Sequence, residues 1–232
     1  MNNISHFHRQ MREVKEDLLM MAGLVEESIH EAVDSLIGRD KVQAHEVIDT
    51  DNRIDMMQNQ IEERVFALMA TQQPVASDLR FLSAAIKIAS HLERMGDQAV
   101  NMAERTLILA EMEPVDSPRR LVAMGELARE MTCLCLDAFV QNNVELAKNV
   151  IKRDDELDDL NLHILEDMVE WMTREQRVIR RGVELILASR HLERVGDEAT
   201  NIAEEVVFLV EGHIIRHKAP DGDADAESVG PL

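Results

Sequence analysis

The sequence contains no Tyr, a single Trp, 5 Pro, 9 Gly and 2 Cys in 232 residues. With Pro and Gly scarce and Leu, Ala, Met, Glu and Arg dominant, the usage favours helix, because unbranched side chains lose little rotamer freedom there. Basic residues are also in short supply. Lys and Arg number 25 against 45 Asp and Glu, a net charge of -20. That argues against a nucleic-acid binder, since phosphate backbones are held by Lys and Arg. No apolar run approaches the ~20 residues needed to span a bilayer. The N-terminal stretch has no apolar signal core.

Cys133 and Cys135, two apart in a helical pattern, point about 200° away from each other. They form neither an easy disulfide nor a shared metal site, so buried, reduced thiols and a cytoplasmic location are expected. Catalytic signatures are missing as well. There is no glycine loop to cradle phosphate, no nucleophile elbow and no Cys/His pairing, so the chain is not expected to be an enzyme.

What the chain does have is an internal repeat. Residues 91–104 read H-L-E-R-M-G-D-Q-A-V-N-M-A-E and residues 191–204 read H-L-E-R-V-G-D-E-A-T-N-I-A-E, identical at ten of fourteen positions. Upstream the offset changes from 100 to 103, so that Asp51 matches Asp154, Asp55 matches Asp158 and Asp34 matches Asp137. Each half holds the same three segments in the same order.

Those segments read as long helices. Leu18, Met21, Val25, Ile29, Val33 and Leu36 recur at steps of three and four, the spacing of one helical face. Gly38-Arg39-Asp40 breaks that pattern, and Asp40 is placed to cap a second helix running to about Met69. Gln73-Pro74 ends it, and a third helix spans about Ser77 to Ala110. Ser117 and Pro118 are placed to start the second half, which turns near Gln141–Asn143 and again near Thr173–Arg177. The expected fold is all-α, two tandem three-helix bundles from an internal duplication, six long helices in all. The expected boundaries are 1–113 for the first repeat, 117–216 for the second and 217–232 for a disordered acidic tail.

On the third helix Glu93 and Asp97 share a face, four residues apart. Asp51 and Asp55 have the same spacing on the second helix. They lie 22 and 18 residues before the turn near residue 73, while Glu93 and Asp97 lie 20 and 24 after it. Antiparallel helices of equal rise therefore bring all four carboxylates to one level. Asp154, Asp158, Glu193 and Asp197 repeat the arrangement around residue 175. Converging like charges need compensation from a metal ion, from Arg94 and Arg194, or from raised carboxylate pKa values. Oxygen-only ligands suit Mg, Ca, Mn or iron. A solvated acidic face is the alternative. His91 and His191 repeat too, but lie about 160° around the helix from Glu93 and Glu193, which suits packing or capping.

With these residues in view, the chain resembles the PhoU family from about Phe7 to about Arg216. The resemblance rests on the duplicated L-E-R-x-G-D-x-A-x-N-x-A-E segments and on Q-P-V-A-S-D-L-R at 73–80. It implies two three-helix bundles, often as a homodimer, with metal clusters at the Glu-x-x-x-Asp motifs of some members. The metal would be a divalent or trivalent ion: iron, Mg, Mn, Ca or Zn. It further implies a regulator of phosphate uptake and a negative regulator of the phosphate-starvation (Pho) response. The implied partners are the ATPase subunit of the phosphate ABC transporter and a phosphate-sensing histidine kinase, with the membrane reached only through them. The Q-P-V-A-S-D-L-R stretch is not kept in the second half, which reads R-E-Q-R-V-I-R-R, so the halves are expected to bind different partners. A carboxylate-rich metal-storage protein or metal-dependent enzyme is the competing reading. A di-iron centre of the Glu-x-x-His type is disfavoured, because Glu27-x-x-His30 becomes Glu130 and Cys133 in the other half.

Overall fold

The computed structural model describes residues 2–72, 74–113 and 119–213, with side chains from residue 6 onward. The expected break at Gln73, the cap at Ser117 with Pro118, and the acidic tail 217–232 lie outside the described residues. The six helices are α1 (Asn2–Gly38), α2 (Lys41–Gln72), α3 (Ala76–Ala110), α4 (Arg119–Gln141), α5 (Val144–Arg174) and α6 (Ile179–Glu211). A single 3-10 turn, Gln176–Val178, joins α5 to α6, and there is no strand among the described residues. The all-α, twice-repeated architecture expected from the sequence is the one observed.

Helices α1, α2 and α3 pack on one another, and so do α4, α5 and α6. The two units then join through α3 and α6, which run together as extensively as neighbours within a unit, and α1 also touches α4. Both helices are rich in small buried residues that allow close packing with their neighbours: Ala84, Ala85, Ala89 and Ala99 on α3, and Ala188, Ala199 and Ala203 on α6. The outcome is one continuous core shared by both halves. Its largest fully buried side chains include Leu18, Ile54, Leu92, Met95 and Met102. Burying each contributes roughly 1.5–3 kcal/mol. Helices α2 and α5 sit on the outside, each against only its own unit.

The helix ends follow local chemistry. The Asp40 carboxylate accepts from the Val42 and Gln43 amides at 2.8 and 3.2 Å. Asn143 caps α5 in the same way, accepting from Glu145 and Leu146 at 3.0 and 3.2 Å. Arg39 carries the turn out of α1 at φ 55°, the left-handed region, although glycine precedes it. Its guanidinium donates to the Leu109 carbonyl in the last turn of α3 and to the Met112 and Glu113 carbonyls just beyond it. One residue thus ends α1 and ties the far end of α3.

The repeated histidines stitch the α3–α6 seam. His91 Nδ1 lies 2.6 Å from Glu198 Oε2, and His191 Nδ1 lies 3.0 Å from Gln98 Oε1. Lys87 donates to buried Glu205 at 3.2 Å, and Arg105 donates to Glu184 at 3.1 Å. Cys135 is buried as expected, but Cys133 is only half-buried and donates to Glu26 at 3.1 Å. The expectation of two buried thiols therefore needs correcting for Cys133: two residues apart, the thiols lie on opposite sides of α4, and only one side is core.

Candidate metal centres

The equal-level register deduced from turn positions has a direct marker. The Ser189 hydroxyl on α6 donates to Asn161 on α5 at 2.9 Å, fourteen residues on either side of residue 175. Nearer the carboxylates, two glycines hold the same place in each half. A methyl group on Gly96 would lie 3.5 Å from Asp51 Oδ1, and one on Gly196 would lie 3.5 Å from Asp154 Oδ1. Each glycine therefore lets the neighbouring helix set its aspartate against backbone, with Ile54 or Leu157 closing the gap from the core side.

All eight expected residues fall into two quartets. In the first, burial and then the charges of Asp55 and Asp97 push the Asp51 carboxyl up to about 6. Burial followed by Asp97, Asp55 and Asp51 raises Glu93, and burial followed by Asp55 raises Asp97. In the second, burial, then Asp197 and Asp158, push Asp154 up to about 6, with the Thr200 hydroxyl a partial counterweight. Burial and then Glu193 and Asp158 raise Asp197. Burial first, and the neighbouring carboxylates second, thus favour the protonated form of Asp51, Glu93, Asp97, Asp154 and Asp197.

The arginines expected to compensate do little of this work. Arg94 reaches Glu198 at 3.8 Å, across the seam, although its charge does lower Glu93 somewhat. Arg194 likewise lowers Asp197 only as the last of its influences, and Arg190, which was not expected, stands 3.9 Å from Glu193. Asp51 Oδ1, Asp154 Oδ1 and Glu193 Oε2 are buried with no hydrogen-bond partner among the described residues. A buried, unpartnered carboxylate oxygen is costly, and a hard cation is the group that would satisfy several at once. The donor set, all carboxylate oxygen, fits such an ion. Among the described residues, however, no three His, Cys, Asp or Glu side chains are arranged as a ready ligand set. Holding a metal would require the half-exposed carboxylates to turn inward.

The comparisons with known proteins bear on both halves. The PhoU domain family model matches residues 18–106 and again 121–206. The chain belongs to the PhoU family. A relative in Aquifex aeolicus, a phosphate-specific transport system accessory protein PhoU homolog, is 38% identical over 210 residues, 90% of this chain and 95% of that one. A homolog of the same description in Pseudomonas aeruginosa is 37% identical and covers 91% of this chain and 88% of its own. Among solved structures, PhoU from Pseudomonas aeruginosa superposes with a TM-score of 0.86 at 37% identity, covering 89% of this chain and all of that one. The phosphate transport system regulatory protein PhoU from Streptococcus pneumoniae gives 0.84 at 29% identity, over 91% of this chain. Both PhoU domains carry a complete carboxylate quartet.

The turn arithmetic brought out the eight carboxylates but missed three features. Thr200 stands beside Asp154, one turn beyond Gly196. Glu198 joins the seam through His91 and also bears on Asp197. The third is a cation-lined cavity at one end of the molecule, described below. The first two could have been found by reading the differences within the repeat itself, where Thr200 replaces Val100 and Glu198 replaces Gln98. No helix of the described residues is long and apolar enough to cross a membrane.

Proposed function

We propose that this chain is a cytoplasmic, non-catalytic accessory of a phosphate transport system and a negative regulator of the phosphate-starvation response. The observation that carries the reading is its membership of the PhoU family over both halves, beside relatives named as phosphate transport accessory and regulatory proteins. In this reading it docks on the ATPase subunit of the phosphate ABC transporter and on a phosphate-sensing histidine kinase. It meets the membrane only through them, and it works as a homodimer. An acidic helical scaffold of this kind acts by binding and by linked changes in helix packing.

The quartets are the natural place for that linkage. Asp51, Asp55, Glu93 and Asp97 would hold one metal site, and Asp154, Asp158, Glu193 and Asp197 the other. A divalent or trivalent ion there would supply positive charge between two helices of one unit. The chain's own part is to present oxygen donors from both helices at one level, with Gly96 and Gly196 setting the approach.

Affinity purification of the tagged full chain from phosphate-replete and phosphate-starved cells tests the partner reading. Recovery of the transporter ATPase and the histidine kinase, changing with phosphate supply, is expected. Recovery of neither would remove the docking claim. The competing metal-storage or metal-dependent enzyme reading predicts something else: stoichiometric metal with redox or hydrolytic turnover by the purified protein alone.

A further inference from the structure

The Q-P-V-A-S-D-L-R stretch belongs to the first half alone, and neither quartet uses it. Ser77 and Arg80 from this stretch line a cavity of about 560 Å³, where the ends of α1, α3, α4 and α6 meet. Arg12 and Lys15 of α1 add two more cations, while Phe81 and Phe139 supply aromatic wall. No carboxylate lines it, in a chain with 45 acidic residues against 25 basic.

The cations here meet no carboxylate among the described residues. Arg12, Lys15 and Arg80 form no ion pair with any described residue, and Arg80 Nε is buried without a hydrogen-bond partner among them. The Lys15 ammonium rests 5.9 Å from the Phe139 ring and 3.4 Å from the Val140 carbonyl. The second half gives the contrast. Its own basic cavity, around Arg177, Arg180 and Arg181, is also lined by Glu113 and Glu175. There Arg177 pairs with Glu175 and Arg181 donates to the Glu113 carbonyl, so carboxylates, not an unpartnered Nε (Arg181 Nε too is buried unpartnered among the described residues), set the two cavities apart.

We propose that the first-half cavity docks an acidic, amphipathic peptide segment of a partner protein. Its carboxylates would lie on Arg12, Lys15 and Arg80, and a large apolar side chain would lie against Phe81 and Phe139. Arg clusters recognise acidic motifs in this way, and guanidinium forks suit carboxylates. A lone inorganic anion would leave the aromatic wall unused. A nucleotide finds neither a glycine loop for its phosphates nor a lining carboxylate for its ribose. The inference stands on the cavity and is independent of the phosphate reading.

Fluorescence anisotropy of a labelled short peptide carrying Phe and Leu between Asp and Glu flanks, titrated with the full-length protein, tests it. Saturable binding is expected, weakening as salt screens the charges. The Arg12→Glu, Lys15→Glu double variant should bind about tenfold more weakly, as should Phe81→Ala, while Arg177→Ala in the second half leaves binding unchanged. Far-UV circular dichroism of each variant checks that it has folded. Failure of the acidic peptide to bind, or equal binding by the charge-reversed variant, overturns the proposal. So does tighter binding of ATP than of the peptide, which would assign the cavity to a nucleotide. Equal binding of a synthetic 217–232 segment would overturn it in favour of the chain's own acidic end.

Discussion

Asp51 and Asp154 have carboxyls raised to about 6, with burial the leading cause and neighbouring carboxylates the next. In the unfolded chain an Asp titrates near ~3.9. Between these values the folded protein binds more protons than the unfolded one, so stability rises as pH falls through about 6 toward about 4. His191 works the other way. Burial and then Arg194 hold it down to about 4, so its contribution is lost as pH falls below its unfolded value of ~6.5. The two effects separate by mutation. Thermal melts in chelator at pH 7 and pH 5 should show Asp51→Asn, Asp154→Asn more stable than the parent at pH 7. The same variant should gain less from acid. An unchanged difference between the two pH values would show that the quartets carry no strain. Gly196 makes a second residue-scale prediction. A methyl group there meets Leu157 in the core, so Gly196→Ala should lower stability by about 1–3 kcal/mol in urea melts. Gly96→Ala should cost less, since its nearest neighbour, Ile54 Cδ1, stands at 3.1 Å.

Among the elements, the helices were largely legible because each signal is local. The apolar steps from Leu18 to Leu36, the Asp40 cap and the Asn143 turn depend on residues within a few positions of one another. Asp40→Ala removes the acceptor for two amides at the start of α2 and should cost about 1 kcal/mol, read as a lower unfolding midpoint. An unchanged midpoint would mean water serves those amides equally well. The carboxylate quartets were legible for a different reason: two antiparallel helices and a counted turn fix a level, and the repeat supplies an independent second instance. The seam between α3 and α6 was not legible. Which faces of two units meet depends on packing between elements far apart in sequence, and His91 and Glu198 are separated by 107 positions. The left-handed turn was hidden too, because Gly38 is the residue expected to adopt it and Arg39 does. If the quartets hold metal, Glu93→Ala, Asp97→Ala should cut the bound metal by about one site of the two that the repeat implies, measured by plasma emission on purified protein. Unchanged metal content would remove the first quartet as a site.

At the scale of the whole molecule, the duplication gives two similar units with one core and two different ends. The quartets repeat; the cation-lined cavity beside Ser77 and Arg80 does not. A scaffold of that kind can answer one signal at equivalent sites and present distinct surfaces to distinct partners, which is what the role proposed above, between transporter and kinase, would require. The most direct measurement is a phosphate-starvation reporter in cells grown with ample phosphate, comparing the parent strain, a strain lacking this protein and the same strain with the full chain restored. The account predicts that the reporter is silent in the parent, active in its absence and silent again on restoration. A reporter that stays silent without the protein, in a strain with no second family member, would contradict it.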